Sequence, residues 1–131
     1  MVNSLDHIIV AVEDLEVAKN NYEKIFGLSP VWRGKHKDFG TSNVLFNFEN
    51  TYFELLASTG SGLGAELVEK HIKEKGEGLF GFVMGTNDIN FLRTKIIDSG
   101  FSLPDLTSGE SINDQTGETR TWINQFLPPE M

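Results

Sequence analysis

Two stretches that carry the same pattern decide the fold: LDHIIVAVEDL at residues 5–15 and LFGFVMGTNDI at residues 79–89. Each begins with a short run of β-branched and aromatic residues, which is typical of a strand. Each then places an aspartate, Asp14 or Asp88, directly before an apolar helical pattern, and that carboxylate can cap the first turn of a helix. The sequence therefore predicts a strand and a helix that occur twice, 74 residues apart from Asp14 to Asp88.

Further elements surround each copy of this pattern. The first helix is predicted over residues 15–26, where Gly27 ends it, and the second from Ile89 to a stop at Gly100. The strands that follow are predicted at residues 31–33, 44–48 and 51–57 in the first copy, and at 103–112 and 119–127 in the second. Between the copies, the flexible segment 58–64 leads into a helix at residues 66–75.

The repeat predicts an α+β fold of two βαβββ modules within one domain. We expect module 1 at about residues 4–57, a linker helix at about 65–76 and module 2 at about 78–128. The second module has one strand fewer than the first, which leaves a sheet edge open. Either a neighbouring chain completes the sheet or the chain is a piece of a longer polypeptide, and we expect a homodimer or a swapped strand at this edge.

Composition excludes several classes of partner. The chain has 11 Lys and Arg against 19 Asp and Glu, a net charge of −8, which argues against nucleic acid and against an anionic membrane surface. It has no cysteine, so disulfides, thiolate zinc sites and cysteine nucleophiles are excluded. No apolar run is long enough for a signal core or a membrane span. We expect a cytoplasmic protein with a small-molecule ligand.

The repeated pattern resembles the vicinal-oxygen-chelate superfamily, which includes glyoxalase I, bleomycin-resistance proteins, extradiol dioxygenases and methylmalonyl-CoA epimerase. The nearest resemblance is to its glyoxalase-like domain group. It implies that the modules form a cup-shaped mixed sheet around a cavity. The stretches that carry the resemblance are residues 5–12 with 14–15, 22–28, 52–56 and 75–79.

The resemblance also implies four metal-ligand positions, on the first and last strand of each module. His7 occupies the first position and Glu54 the second. The third falls on Gly81, or on Phe80 or Phe82 after a register shift of one, and none of these side chains binds metal. The fourth lies on the missing strand. The implied site for a divalent metal (Zn, Ni, Mn or Fe) is therefore incomplete, with His7 and Glu54 as its two ligands.

Alternation along the strands favours a cup position for both residues. His7 shares a face with Leu5, Ile9 and Ala11, while the opposite face suits packing under the helix. Glu54 shares a face with Tyr52 and Leu56, where a carboxylate is costly unless it is paired or metal-bound. An apolar cup would raise the pKa of a glutamate, which suits a general base. The alternatives are a structural imidazole and a carboxylate paired with a cation or with Tyr52.

Other polar and aromatic residues have two interpretations each. The basic stretch RGKHK at residues 33–37 is either a solvated loop or an anion-binding rim at the mouth of the cup. His71 is predicted to be structural or exposed. Trp32 and Trp122 either pack in the core or line the cavity.

The sequence therefore supports two main functional hypotheses. One is a glyoxalase-like enzyme of lyase, isomerase or dioxygenase type acting on a small oxygenated molecule, with Glu54 as its catalytic residue and His7 with Glu54 as an acid/base pair or metal ligands. The other is a non-catalytic protein that binds or sequesters a small molecule, as bleomycin-resistance proteins do. A degenerate structural module is a third hypothesis.

Overall fold

A computed structural model describes residues 1–128 of the chain. These residues form seven strands and three helices. In chain order they are β1 (Val2–Ala11), α1 (Leu15–Phe26), β2 (Trp32–His36), β3 (Thr41–Asn47), β4 (Tyr52–Ser58), α2 (Leu63–Lys75), β5 (Gly78–Thr86), α3 (Ile89–Asp98), β6 (Thr107–Asn113) and β7 (Thr119–Asn124).

The seven strands form one curled sheet in the order β5-β1-β4-β3-β2-β6-β7. β1 and β4 pair in parallel, and all the other neighbours are antiparallel. The first strands of the two modules, β1 and β5, lie side by side, while β6 continues the sheet beyond β2. The predicted α+β fold with a cup-shaped sheet is therefore confirmed.

The first module packs its helix on the outer face of this sheet. The Asp14 carboxylate accepts a hydrogen bond from the Val17 N–H, and Gly27 ends α1 with a φ of 66°. The buried core beneath α1 consists of Val10, Val12, Leu15, Ala18, Val44, Phe46, Leu55 and Ala57. Because this core takes the outward-facing residues of β1, the alternate residues, including His7, face the cup.

Within the described residues, the second module has no counterpart of β4. Within residues 1–128, β5 has no parallel neighbour, and β5 and β7 are the two outer edges of the sheet. Helix α3 is capped by Asp88 as predicted, yet none of its side chains is fully buried. Large apolar side chains remain exposed on β5, α3 and β7, namely Leu79, Phe82, Met84, Phe91, Ile97 and Ile123.

The basic stretch at residues 33–37 is not the solvated loop that was one of its two interpretations. Its first four residues belong to β2, which pairs with β3 on one side and β6 on the other. The Arg33 guanidinium contacts the carboxylates of Glu16 and Asp114. The loop interpretation was wrong because an alternation of small and charged residues also suits a strand whose charged side chains face outward.

None of the helices within residues 1–128 is both long enough and apolar enough to cross a membrane.

Candidate active site

His7 and Glu54 come together on the inner face of the sheet. The parallel register of β1 and β4 pairs His7 with Tyr52 and Ile9 with Glu54, so His7 and Glu54 are diagonal neighbours. The Nε2 atom of His7 lies 3.1 Å from Oε1 of Glu54. The imidazole stacks on the Tyr52 ring, with ring centroids 4.3 Å apart and an angle of 14° between the planes. The structure therefore brings together the two residues that the sequence singled out.

A third residue, Asn43, holds the other oxygen of the same carboxylate. Asn43 lies on β3, the neighbour of β4, and its Nδ2 donates to Oε2 of Glu54 at 2.7 Å. Glu54 is only 6% exposed, so water cannot satisfy both of its oxygens. Two protein donors do so instead, which is the condition under which a carboxylate is tolerated in an interior.

Asp6 completes the surroundings of His7. The pairing of β1 with β5 slips between Leu5 and His7, which is a bulge in the ladder. A bulge re-aims side chains, so that consecutive residues can meet. Oδ2 of Asp6 lies 2.8 Å from Nδ1 of His7. Each ring nitrogen of His7 therefore faces a carboxylate oxygen.

This arrangement favours the charged form of His7. Burial acts to lower the pKa of the imidazole, but the hydrogen bond and charge of Glu54, followed by those of Asp6, outweigh it and raise the pKa of His7. A doubly protonated imidazole donates from both nitrogens, which matches its two carboxylate acceptors. Asp6, His7 and Glu54 thus form a carboxylate–imidazolium–carboxylate row.

A second histidine, His36, has the opposite environment. It lies at the end of β2, it is 7% exposed, and its Nδ1 lies 2.8 Å from Oγ1 of Thr41. The edge of its ring meets Trp122 at a centroid distance of 5.8 Å. Burial lowers the pKa of His36, which overrides the opposing effect of the Glu54 charge. His36 is therefore a neutral imidazole near neutral pH.

The β6–β7 hairpin closes the wall of the cup beyond β2. Trp32 is buried, and its Nε1 donates to Oγ of Ser111 at 3.0 Å. The Arg120 guanidinium lies 4.0 Å from the centre of the Trp32 ring, a cation–π arrangement. Trp32 is therefore covered by Arg120 and packs in the interior, which is the first of the two interpretations that the sequence left open for it.

The opposite wall has open space at Gly81. Ile9 pairs with Glu54 on one side and with Gly81 on the other, so these three residues form one row across the sheet. A Cβ atom added to Gly81 would meet nothing within 4 Å. The position at which the resemblance implies a third metal ligand is therefore an unfilled space.

The residues of the cup do not by themselves fit a resident metal ion. Within residues 1–128, no group of three or more His, Asp and Glu side chains could hold a metal. His7 and Glu54 offer two donors, and they are hydrogen-bonded to each other. Zinc in proteins takes three or four protein ligands, and the octahedral metals need at least a three-residue face.

Sequence reasoning missed two residues of this cluster, Asp6 and Asn43. Asn43 lies in the same alternation as Leu45 and Asn47, but β3 was predicted to begin at residue 44 and begins at Thr41, so Asn43 fell outside the predicted strand. Asp6 reaches His7 only through the bulge, which leaves no signal in the sequence.

The fold is similar to that of several solved structures. Methylmalonyl-CoA epimerase from Streptomyces coelicolor, in complex with 2-nitronate-propionyl-CoA, matches at a TM-score of 0.69 and 21% identity over 94% of each chain. The epimerase from Mycobacterium tuberculosis matches at 0.72 and 21% identity over 93% of this chain and 87% of that one. A hypothetical protein from Staphylococcus aureus matches at 0.74 and 19% identity over 95% of this chain and 53% of that one.

Sequence comparison identifies the family. A search of curated proteins gave no match. The sequence profile of the family described as Glyoxalase-like domain matches residues 5–130, almost the whole chain. The chain therefore belongs to the glyoxalase-like domain family and has the vicinal-oxygen-chelate fold.

Proposed function

We propose that this protein is a glyoxalase-like enzyme that moves a proton at a carbon next to a carbonyl group, in an isomerase or lyase reaction on a small molecule. One observation carries the proposal: a buried carboxylate, Glu54, held by donors on both oxygens at the inner face of the cup. The epimerases of similar fold support the isomerase class, because epimerisation inverts one carbon centre.

Glu54 is the general base of the proposed reaction. An ionised carboxylate has about four lone-pair sites, and only one on each oxygen is used by His7 and Asn43. A remaining lone pair can take the proton from the carbon. The electron pair of the broken C–H bond then forms a C=C bond, and the carbonyl becomes an enolate. Protonation of the same carbon from its opposite face inverts that carbon and completes an epimerisation, whereas return of the proton to the original face regenerates the substrate.

His7 holds this base in place. Its imidazolium balances the charge of Glu54 and fixes the rotation of the carboxylate through the 3.1 Å contact. Asp6 on the far side of the ring and Tyr52 beneath it fix the imidazole in turn. A carboxylate fixed in this way needs little reorganisation when the proton is transferred. A divalent ion at His7 and Glu54 would need further donors from a ligand or a partner, and the proposed step does not depend on it.

Exchange of carbon-bound hydrogen for deuterium tests this function without knowledge of the natural substrate. Methylmalonyl-CoA, hydroxyacetone and acetone, each with the protein in D₂O, are followed by ¹H NMR. We expect exchange for at least one compound, and Glu54→Gln should slow it about 10²–10⁴-fold, the usual contribution of a general base. Glu74→Gln, at an exposed position of α2, is the matched control and should leave exchange unchanged.

Two results of that experiment would overturn the enzymatic proposal. One is exchange no faster than in buffer for every compound, and the other is equal exchange by the wild-type protein and Glu54→Gln.

Non-catalytic binding is the second candidate function, and the incomplete donor set favours it. The cup offers two metal donors in His7 and Glu54, open space at Gly81 and the ring of Tyr52 beside His7. Such a cup suits capture of a small aromatic or oxygenated compound without chemistry. Saturable binding of a compound in the cup, without deuterium exchange, would favour this candidate.

Assembly as a homodimer is also part of the proposal. β5, an outer edge of the sheet, contains no charged residue and exposes Leu79, Phe82 and Met84. Natural edge strands often carry charges or prolines that prevent pairing, and β5 has neither, so this edge suits pairing with another strand. A second copy of the chain is the partner that we propose, in a cytoplasmic location.

A further inference from the structure

We propose that Asn43 is the positioning residue for the base: its side-chain amide holds the Glu54 carboxylate in the orientation that accepts the proton. The proposal rests on the function assigned above to Glu54. It gives a role to a residue that has no part in the strand pairing through its side chain and that the metal-ligand pattern of the superfamily does not explain.

The orientation of the Asn43 amide follows from its partner. An ionised carboxylate only accepts hydrogen bonds, so the group that lies 2.7 Å from Oε2 of Glu54 must be the NH₂ of Asn43. Oδ1 therefore points away from Glu54. Charge-assisted hydrogen bonds of this kind are short and about twice as strong as neutral ones, which suits a fixed orientation.

The amide makes this contact at a cost. Asn43 is 3% exposed, and its Oδ1 is a buried atom with no hydrogen-bond partner among residues 1–128. A buried acceptor without a donor lowers stability, and such atoms are few in native proteins. A residue selected only for packing at this position would need no amide, and among residues 1–128 the hydrogen bond to Glu54 is the contact that the amide makes. The amide is therefore matched to the Glu54 carboxylate.

His7 and Asn43 bind different oxygens of the Glu54 carboxylate. His7 reaches Oε1 from β1 and Asn43 reaches Oε2 from β3, so the carboxylate on β4 is held from both neighbouring strands. Loss of one holder leaves the carboxylate free to rotate about the remaining hydrogen bond. A misplacement of about 1 Å at a reacting group can cost about 10²-fold in rate.

The test compares Asn43→Leu, which removes the donor at similar volume, with Ser42→Ala as a control. Ser42 is also buried on β3 and bonds Thr59, but on the other face of the strand. With hydroxyacetone or methylmalonyl-CoA in D₂O, Asn43→Leu should lower kcat for exchange by about 10–100-fold and change KM by less than about threefold. Asn43→Gln, which keeps an amide on a longer arm, should recover part of the lost kcat. Ser42→Ala should change neither constant.

A second measurement does not depend on activity and covers the case in which Asn43→Leu fails to fold. In ¹⁵N-labelled protein, one side-chain amide proton of Asn43 should resonate downfield and move upfield in Glu54→Gln, because a neutral acceptor replaces a charged one. Amide protons of Asn43 that do not respond to Glu54→Gln would overturn the proposal whether or not the protein catalyses exchange. Wild-type exchange that persists in Asn43→Leu would overturn the positioning role alone, and the function of Glu54 would stand.

Discussion

A single buried carboxylate organises the chemistry of this protein. Glu54 occupies an interior position at which an ionised group is tolerated only with partners, and the strands on both sides of β4 provide them. The resemblance to the vicinal-oxygen-chelate superfamily pointed to Glu54 and His7, and alternation along the strands favoured a cup position for both. It did not identify Asn43, since the start of β3 was predicted three residues too late.

The pH dependence of stability tests the pairing of His7. Because the pKa of His7 is raised by Glu54 and Asp6, the charged pair stabilises the fold fully below the unfolded-state pKa of about 6.5. That contribution is lost as the pH rises through the native pKa of His7. We expect wild type to lose stability relative to His7→Gln, whose amide carries no charge, as the pH rises from about 6.5 through the raised native pKa of His7. Urea unfolding across this range measures the difference.

A constant difference between the two proteins over this range would contradict the charged pairing. Tyr52 stacks on His7 but does not itself ionise in this range, because burial raises the pKa of its hydroxyl.

Two glycines on the inner face of the sheet predict opposite responses to alanine. A Cβ at Gly34 would lie 2.8 Å from the Ile112 carbonyl and closer still to the side chains of Trp32 and Ser111. Gly34→Ala should therefore cost about 1–3 kcal/mol of unfolding free energy through overpacking. The methyl group of Gly81→Ala enters open space, so this variant should change the unfolding free energy by no more than about 0.5 kcal/mol. Urea unfolding of the two variants gives the comparison, and equal effects would mean that the cup wall differs from the one described.

Two helices with the same capping signal differ in what they cover. Asp14 caps α1 and Asp88 caps α3 in the same way, each accepting a hydrogen bond from an N–H three residues on. Helix α1 packs over β3 and β4, whereas α3 has no fully buried side chain within the described residues. Local signals predicted both helices, but tertiary packing stabilises mainly α1.

Removal of the capping aspartate should have different effects in α1 and α3. Asp14→Ala should lower the global unfolding free energy by about 1 kcal/mol, because α1 is part of the core. Asp88→Ala should have a smaller global effect and should mainly speed amide exchange within α3, which opens without the rest of the protein. Hydrogen exchange by NMR measures both. Equal global losses would show that α3 is as firmly packed as α1.

Prediction from sequence was most accurate for elements with strong local signals. The bounds of α1 were predicted to the residue because a cap, an apolar stripe and a glycine stop all agreed. Strand β2 was mostly missed because its charged residues, Arg33 and Lys35, obscured the alternation. The pairing of β6 with β2 depends on contacts distant in sequence, which a local pattern does not encode.

The whole sheet has both of its outer edges in the second module. The uncharged edge of β5 and the exposed apolar residues of α3 mark the side on which the repeat lacks a strand. We expect a homodimer by light scattering at micromolar concentration. Phe82→Lys, on the exposed edge strand, should shift it toward monomer. Val17→Lys, an equally apolar exposed position on α1, is the control. A monomer in all three proteins would contradict the proposed assembly.

A crystal structure of the protein soaked in hydroxyacetone shows whether Glu54 can act as the base. We expect the ligand inside the cup beside Gly81, with the carbon that loses its proton about 3–3.5 Å from an oxygen of Glu54. The hydrogen bonds from His7 and Asn43 to that carboxylate should remain in place. A ligand bound elsewhere, or a cup without room for one against Glu54, would rule out Glu54 as the base.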